Sequence, residues 1–170
     1  MKTVILFIGL FLLLFTACQE DPEVTAPADE SPQEEVNFHR DKALFEEAAQ
    51  LRSESYSSPF TIDYVGREEN TLKVEVSYPK GCEGTFDVIW DGIVMESYPM
   101  QACLFLKFSA TDCPTEFIHE DAEKKAIVID LVALIGDESL VNETIFHVSN
   151  ASSLQDVSCE GDCDQTVSSN

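Results

Sequence analysis

The chain has 170 residues, and 32 acidic side chains against 10 basic ones give it a formal net charge of −22. That charge repels nucleic acid and anionic lipid, which excludes a nucleic-acid role. The length suits one domain with flanking segments.

Taken in order, residues 1–17 carry Lys2, a run of twelve apolar residues over 4–15, and the small pair Thr16 and Ala17 before Cys18. A positive start, a short apolar stretch and small side chains are the pattern of a secretory signal peptide. The run is too short to span a bilayer, which needs about 18 apolar residues or more. Phe15, Thr16, Ala17 and Cys18 resemble the lipobox of bacterial lipoproteins, with Phe where Leu is usual and Leu14 just before it. The resemblance implies that the Cys18 thiol is diacylated, the leader is cut before it and the new amine is acylated. Each buried CH₂ then adds roughly 0.8 kcal/mol to membrane attachment. The mature chain would keep 153 residues, with nine basic against 32 acidic side chains and a net charge of −23.

Residues 18–36 hold the lipidated Cys and a tether with seven acids, three prolines and no base. So little apolar content cannot offset ordering entropy, so the expectation is a disordered, extended spacer. Glu20 and Asp21 also look like the export tag of surface-displayed lipoproteins of the Bacteroidota. Residues 37–57 are expected to hold a short helix over 37–55, capped by Asn37. Phe38, Leu44, Phe45, Ala48 and Leu51 form its apolar stripe.

From residue 58 to 155 the period changes to two. Leu72, Val74, Val76 and Tyr78 alternate with polar residues, followed by Phe86, Val88 and Trp90, and then by Ala102, Leu104, Leu106 and Phe108. Further strands are expected near 61–67, 116–120, 126–131 and 143–149. Turn signals stand at Glu69-Asn70, Pro79-Lys80-Gly81, Asp91-Gly92 and Gly136-Asp137. About seven short strands with such punctuation predict a mainly β fold, a single immunoglobulin-like antiparallel β-sandwich. Residues 156–170 read as an acidic tail containing two cysteines.

The segments from Tyr78 through Gly81-Cys82, from Phe86 through Trp90-Asp91-Gly92, from Glu96 to Gln101, and Asp112-Cys113 resemble small uncharacterised lipoproteins of the Bacteroidota. The similarity covers about residues 70–135 and implies a fold and an address without an activity. Cys103 departs from that pattern, which would place a polar residue there.

Five cysteines remain once Cys18 is acylated, and thiols outside the cytoplasm tend to be oxidised. Cys82 precedes one strand and Cys113 follows the next long one, so an antiparallel pair brings them to one end, and we pair them. In the tail, Cys159 and Cys163 either close on each other, with Gly161 in the turn, or one of them reaches Cys103. An odd total leaves a free thiol or an intermolecular bond. Alternatively, the Cys159-x-x-x-Cys163 spacing resembles that of some extracytoplasmic copper carriers, with His147 as a further copper or zinc ligand. Those carriers have a thioredoxin-like α/β chain, whereas this sequence is mostly strand.

No catalytic reaction is supported. Ser77-x-x-Lys80 matches the pattern of penicillin-interacting enzymes, but Pro79 and the strand context deny Ser77 a helix start. His39, His119 and His147 accompany neither a nucleophile elbow nor a zinc motif. Asp87 and Asp91 share a strand face without a cleft. Asn142 and Asn150 begin glycosylation sequons that a bacterial lipoprotein leaves unmodified. The expectation is a non-enzymatic, lipid-anchored module of the cell envelope at the outer membrane. It needs no cofactor and binds a protein or saccharide partner or serves a structural role.

Overall fold

In the computed structural model, residues 36–113 and 121–167 are described. Cys18, its tether, His119 and the strand expected at 116–120 lie outside them. The described chain forms nine strands and three helices in two sheets (five strands and four), the mainly β sandwich that the alternation predicts. The first sheet has the order β1-β4-β5-β7-β8 and the second β6-β3-β2-β9. In chain order these are β1 (Val36–Arg40), α1 (Lys42–Leu51), β2 (Thr61–Glu68), β3 (Thr71–Pro79), β4 (Glu83–Trp90) and β5 (Met100–Thr111). After them come β6 (Ala122–Asp130), α2 (Leu131–Ile135), α3 (Glu138–Glu143), β7 (Thr144–Asn150), β8 (Asp156–Cys159) and β9 (Asp164–Thr166).

Period-two burial makes the sandwich. Leu72, Val74 and Val76 of β3, Phe86, Val88 and Trp90 of β4, and Leu104, Leu106 and Phe108 of β5 are all buried in one core between the sheets. Phe86 and Phe108 stack at 4.4 Å, and Phe60 meets Phe86 edge-on at 5.4 Å. On β2 the inward phase changes: Ile62 is buried, and so is Val65, because a bulge shifts the register between Ile62 and Tyr64. Tyr64 then lies across Gly66 on the outer face, where an added Cβ would fall 2.1 Å from the phenol oxygen. A side chain at this position would have to push that ring aside. Among the described residues no helix is long and apolar enough to cross a membrane.

Four features differ from the sequence reading. The helix does not begin at Asn37. Residues 36–40 form β1 instead, paired in parallel with β4, and Asp41 caps α1 by accepting from the amides of Ala43 and Leu44 at 2.8 and 3.1 Å. Asn37 and His39 belong to the strand because both bond Asp87 on β4 at 3.0 Å. Leu51, expected on the apolar stripe, is exposed.

Second, the larger sheet is mixed, since β1–β4 and β5–β7 run parallel. Parallel neighbours need long crossovers, and the chain supplies them by passing through the other sheet between β1 and β4 and through β6, α2 and α3 between β5 and β7. Third, 131–143 contains two short helices: Asp130 caps α2, Gly136 ends it at φ 89°, and Asp137 caps α3. Fourth, residues 156–166 are no tail. β8 adds to β7 in the first sheet and β9 to β2 in the second, so the chain crosses between sheets at one edge of the sandwich.

The outer face of the larger sheet is covered where its sequence is apolar. Ile89 and Phe105 occupy positions that the alternation assigns to solvent, yet both are buried, with Ala48 of α1 and Ala151 completing a second cluster. Phe45 of α1 meets Phe105 edge-on at 5.1 Å. Two apolar outliers on opposite strands thus dictate where the helix packs.

Candidate functional site

One end of the larger sheet collects three chain segments. There β4 and β8 finish while β5 and β7 begin, with Met100 beside Thr144 and Phe146 beside Cys159 in the register. The loop from β4 to β5, the junction of α3 with β7, and the turn from β8 to β9 surround an open groove of about 780 Å³. The groove's acidic side chains are Glu96, Glu143 and Glu160, and none of its lining residues is Lys, Arg or His. Tyr98 stands on the rim with its side chain fully exposed, and Met100 lies beside it.

Each wall is held by its own polar contacts. In the β4–β5 loop, Trp90 donates its indole N–H to the Ile93 carbonyl at 3.2 Å, Asp91 accepts from the Ile93 amide, and Met95 exchanges backbone bonds with Gln101. Ser97 Oγ donates to the Pro99 carbonyl at 2.6 Å. The α3–β7 junction rests on Arg67, a residue only 5% exposed. Its guanidinium donates to the carbonyls of Val141, Thr144 and Glu69 at 3.1, 3.3 and 2.9 Å and lies over the Phe146 ring at 5.4 Å. No carboxylate bonds it among these contacts; burial lowers its basicity, which the charge of Asp162 partly restores. The third wall is the five-residue loop closed by the Cys159–Cys163 disulfide, whose Asp162 accepts from the Glu69 amide. The groove is therefore preformed, as binding sites usually are.

The second disulfide, Cys82–Cys113, closes the opposite end of the sheet, where Glu83 of β4 faces Thr111 of β5. The sequence separation of 31 corresponds to roughly 3 to 4 kcal/mol in the loop-entropy account. Cys103 keeps a free thiol on β5, half-buried, and burial with the charges of Asp91 and Asp156 raises its pKa.

The metal-ligand candidates do not converge. Cys159 pairs with Cys163, and Cys159 is fully buried beside Phe146. His147 follows Phe146 and therefore projects to the other face of the sheet. Both its ring nitrogens are engaged: Nε2 bonds Gln101 Oε1 at 3.0 Å and Nδ1 bonds Ser158 Oγ at 2.8 Å. Among the described residues no group of three or more His, Cys, Asp or Glu is placed to hold a metal ion.

The other candidates have local duties. Asp87 accepts from Asn37 and His39, Asp91 accepts from Ile93, and Ser77 on β3 donates to Asp63. Lys80 reaches Asp121 instead, at 3.1 Å. Asn150 is buried and donates to the Phe60 carbonyl, whereas Asn142 lines the groove. Sequence reasoning did not find Arg67 or Tyr98. The signal for Arg67 was a charged residue in phase with the buried Val65. Tyr98 sits within the Glu96–Gln101 stretch, but exposure leaves no periodic trace. Comparison of the chain with protein-family models, with curated proteins and with solved structures gives no match.

Proposed function

We propose that this chain is a lipid-anchored lipoprotein of the bacterial cell envelope whose folded part is a non-enzymatic binding module. The observation that carries the binding role is the preformed groove, walled by three separately anchored segments and edged by a fully exposed tyrosine. Large exposed aromatic side chains beside a concave surface commonly mark recognition sites. The lining supports binding over chemistry. Its hydroxyls at Ser97 and Thr144 are donated to backbone carbonyls, so neither is set beside a base as an activated nucleophile would be.

The anchor rests on residues 1–18, with Cys18 as the acylated residue. The acidic stretch that follows would hold the module away from the lipid, and two disulfides suit an oxidising compartment. Fractionation of the native host tests this reading. The protein is expected in outer membranes and is expected to leave them on Cys18→Ala substitution. Recovery of the wild-type chain as a soluble secreted protein would contradict it.

A further inference from the structure

The chemistry of the groove selects among ligands. Its three carboxylates offer acceptors, and the donors beside them are few, since Ser97 is already bonded and Asn142 is the amide present. A sugar needs donors as well as acceptors and usually an aromatic platform under each ring. Tyr98 is the one aromatic residue of the lining. Ammonium and guanidinium groups need acceptors alone, bond carboxylates with charge assistance and favour an aromatic face. The lining adds apolar surface, because the half-buried Met100 and Ile145 border the groove beside Tyr98. The net charge of the whole chain draws cations toward it.

We propose that the groove binds a cationic polypeptide segment. A Lys or Arg head lies against Tyr98 among Glu96, Glu143 and Glu160, with neighbouring aliphatic side chains on Met100 and Ile145. This rests on the reading of the groove as a binding surface and adds the class of its occupant.

The test uses the full-length protein purified from its host in uncharged detergent. The probe is a fluorescent peptide of alternating Lys, Leu and Arg, measured by anisotropy. Its glutamate counterpart and a neutral chitin hexasaccharide serve as comparisons. Binding of the basic peptide is expected to weaken with added salt. The triple variant Glu96→Gln/Glu143→Gln/Glu160→Gln should lose roughly tenfold in affinity, and Tyr98→Ala about threefold. A control triple variant at distant exposed acids, Glu47→Gln/Glu54→Gln/Glu83→Gln, should bind within a factor of two of wild type, by about the screening expected of remote charges. Unchanged thermal melting of each variant shows that folding is retained.

Equal losses in both triple variants would mean diffuse charge attraction and would overturn the proposal. Binding of the hexasaccharide but not the peptide, lost in Tyr98→Ala, would overturn the cationic occupant and keep the groove as a binding surface. Binding of neither probe would overturn the proposal, whereas membrane fractionation would still judge the lipoprotein reading separately.

Discussion

Two arginines tie distant segments together through backbone carbonyls, and one of them adds an ion pair. Arg67 meets three backbone carbonyls, whereas Arg52, at the end of α1, combines carbonyls with an ion pair. The Arg52 guanidinium donates to the carbonyls of Asn150, Ser153 and Gln155 at 2.8, 2.5 and 2.6 Å, reaches Asp156 at 2.8 Å and lies over Phe105 at 5.6 Å. Replacing Arg67 by Met should cost about 2 to 4 kcal/mol, since it leaves buried carbonyls unpaired. Urea unfolding measures that loss, and Arg67→Lys should recover only part of it because an ammonium lacks the planar fork. Burial opposes ionisation of Asp156, but hydrogen bonds from Arg52 and Ser149 and the charge of Arg52 outweigh it, so the carboxyl sits below its ordinary value. Its folded pKa is thus lower than its unfolded one, near about 3.9. The stability it contributes is complete above that unfolded value and disappears as the pH falls through the folded one. Urea midpoints followed from pH 5 downward should therefore drop below about pH 4, and Asp156→Asn should flatten the drop. A midpoint of the variant that falls as steeply as wild type would remove this role. Neither arginine stood out in the sequence as structural, because Arg is ordinarily a surface residue and, apart from Glu69, their hydrogen-bond partners lie 74 to 104 residues away along the chain.

Elements were legible where a period was visible. The alternation in β3, β4 and β5 predicted strands whose inner residues are the buried ones, and the turn positions of Cys82 and Cys113 placed both at one end of the sheet. The β1–α1 boundary was not legible, because Phe38 fits a helical stripe as well as an extended edge, and Asp41 rather than Asn37 is the cap. Parallel pairing was not legible either, since it joins residues such as Val36 and Phe86 across intervening strands. Ile89 and Phe105 were the available clue: apolar residues at outward positions call for a cover. Phe105→Ala should cost about 3 to 5 kcal/mol and raise amide exchange through α1, because the helix loses its main contact. At the other margin, β9 has three exposed residues held by β2 and by the Cys159–Cys163 closure. The double variant Cys159→Ala/Cys163→Ala should lose about 2 kcal/mol on the loop-entropy account. Its amide exchange should quicken at Asp164–Thr166 while β3 and β5 keep their protection. Uniform acceleration across both sheets would show that this loop supports the whole core instead.

At the scale of the molecule, the features divide by position. The Cys82–Cys113 staple closes one end of the larger sheet and the groove opens at the other, so the proposed ligand would approach the end remote from that bond. Charge follows the same logic: the acidic groove sits on a chain whose net charge turns away anionic partners. The groove itself was not legible in the sequence, because its walls come from three segments that alternation treats as turns. The proposed address is the reverse case: it rests on the sequence of residues 1–18 alone, which lie outside the described residues. The central proposal, a lipid-anchored protein, depends on processing at Cys18, and the intact mass of the protein made by its native host tests that most directly. The account predicts a chain lacking residues 1–17 and heavier than its remaining 153 residues by the mass of a diacylglyceryl group and an amide-linked fatty acid. A product that retains the leader, or that begins at Cys18 without acyl mass, would contradict it.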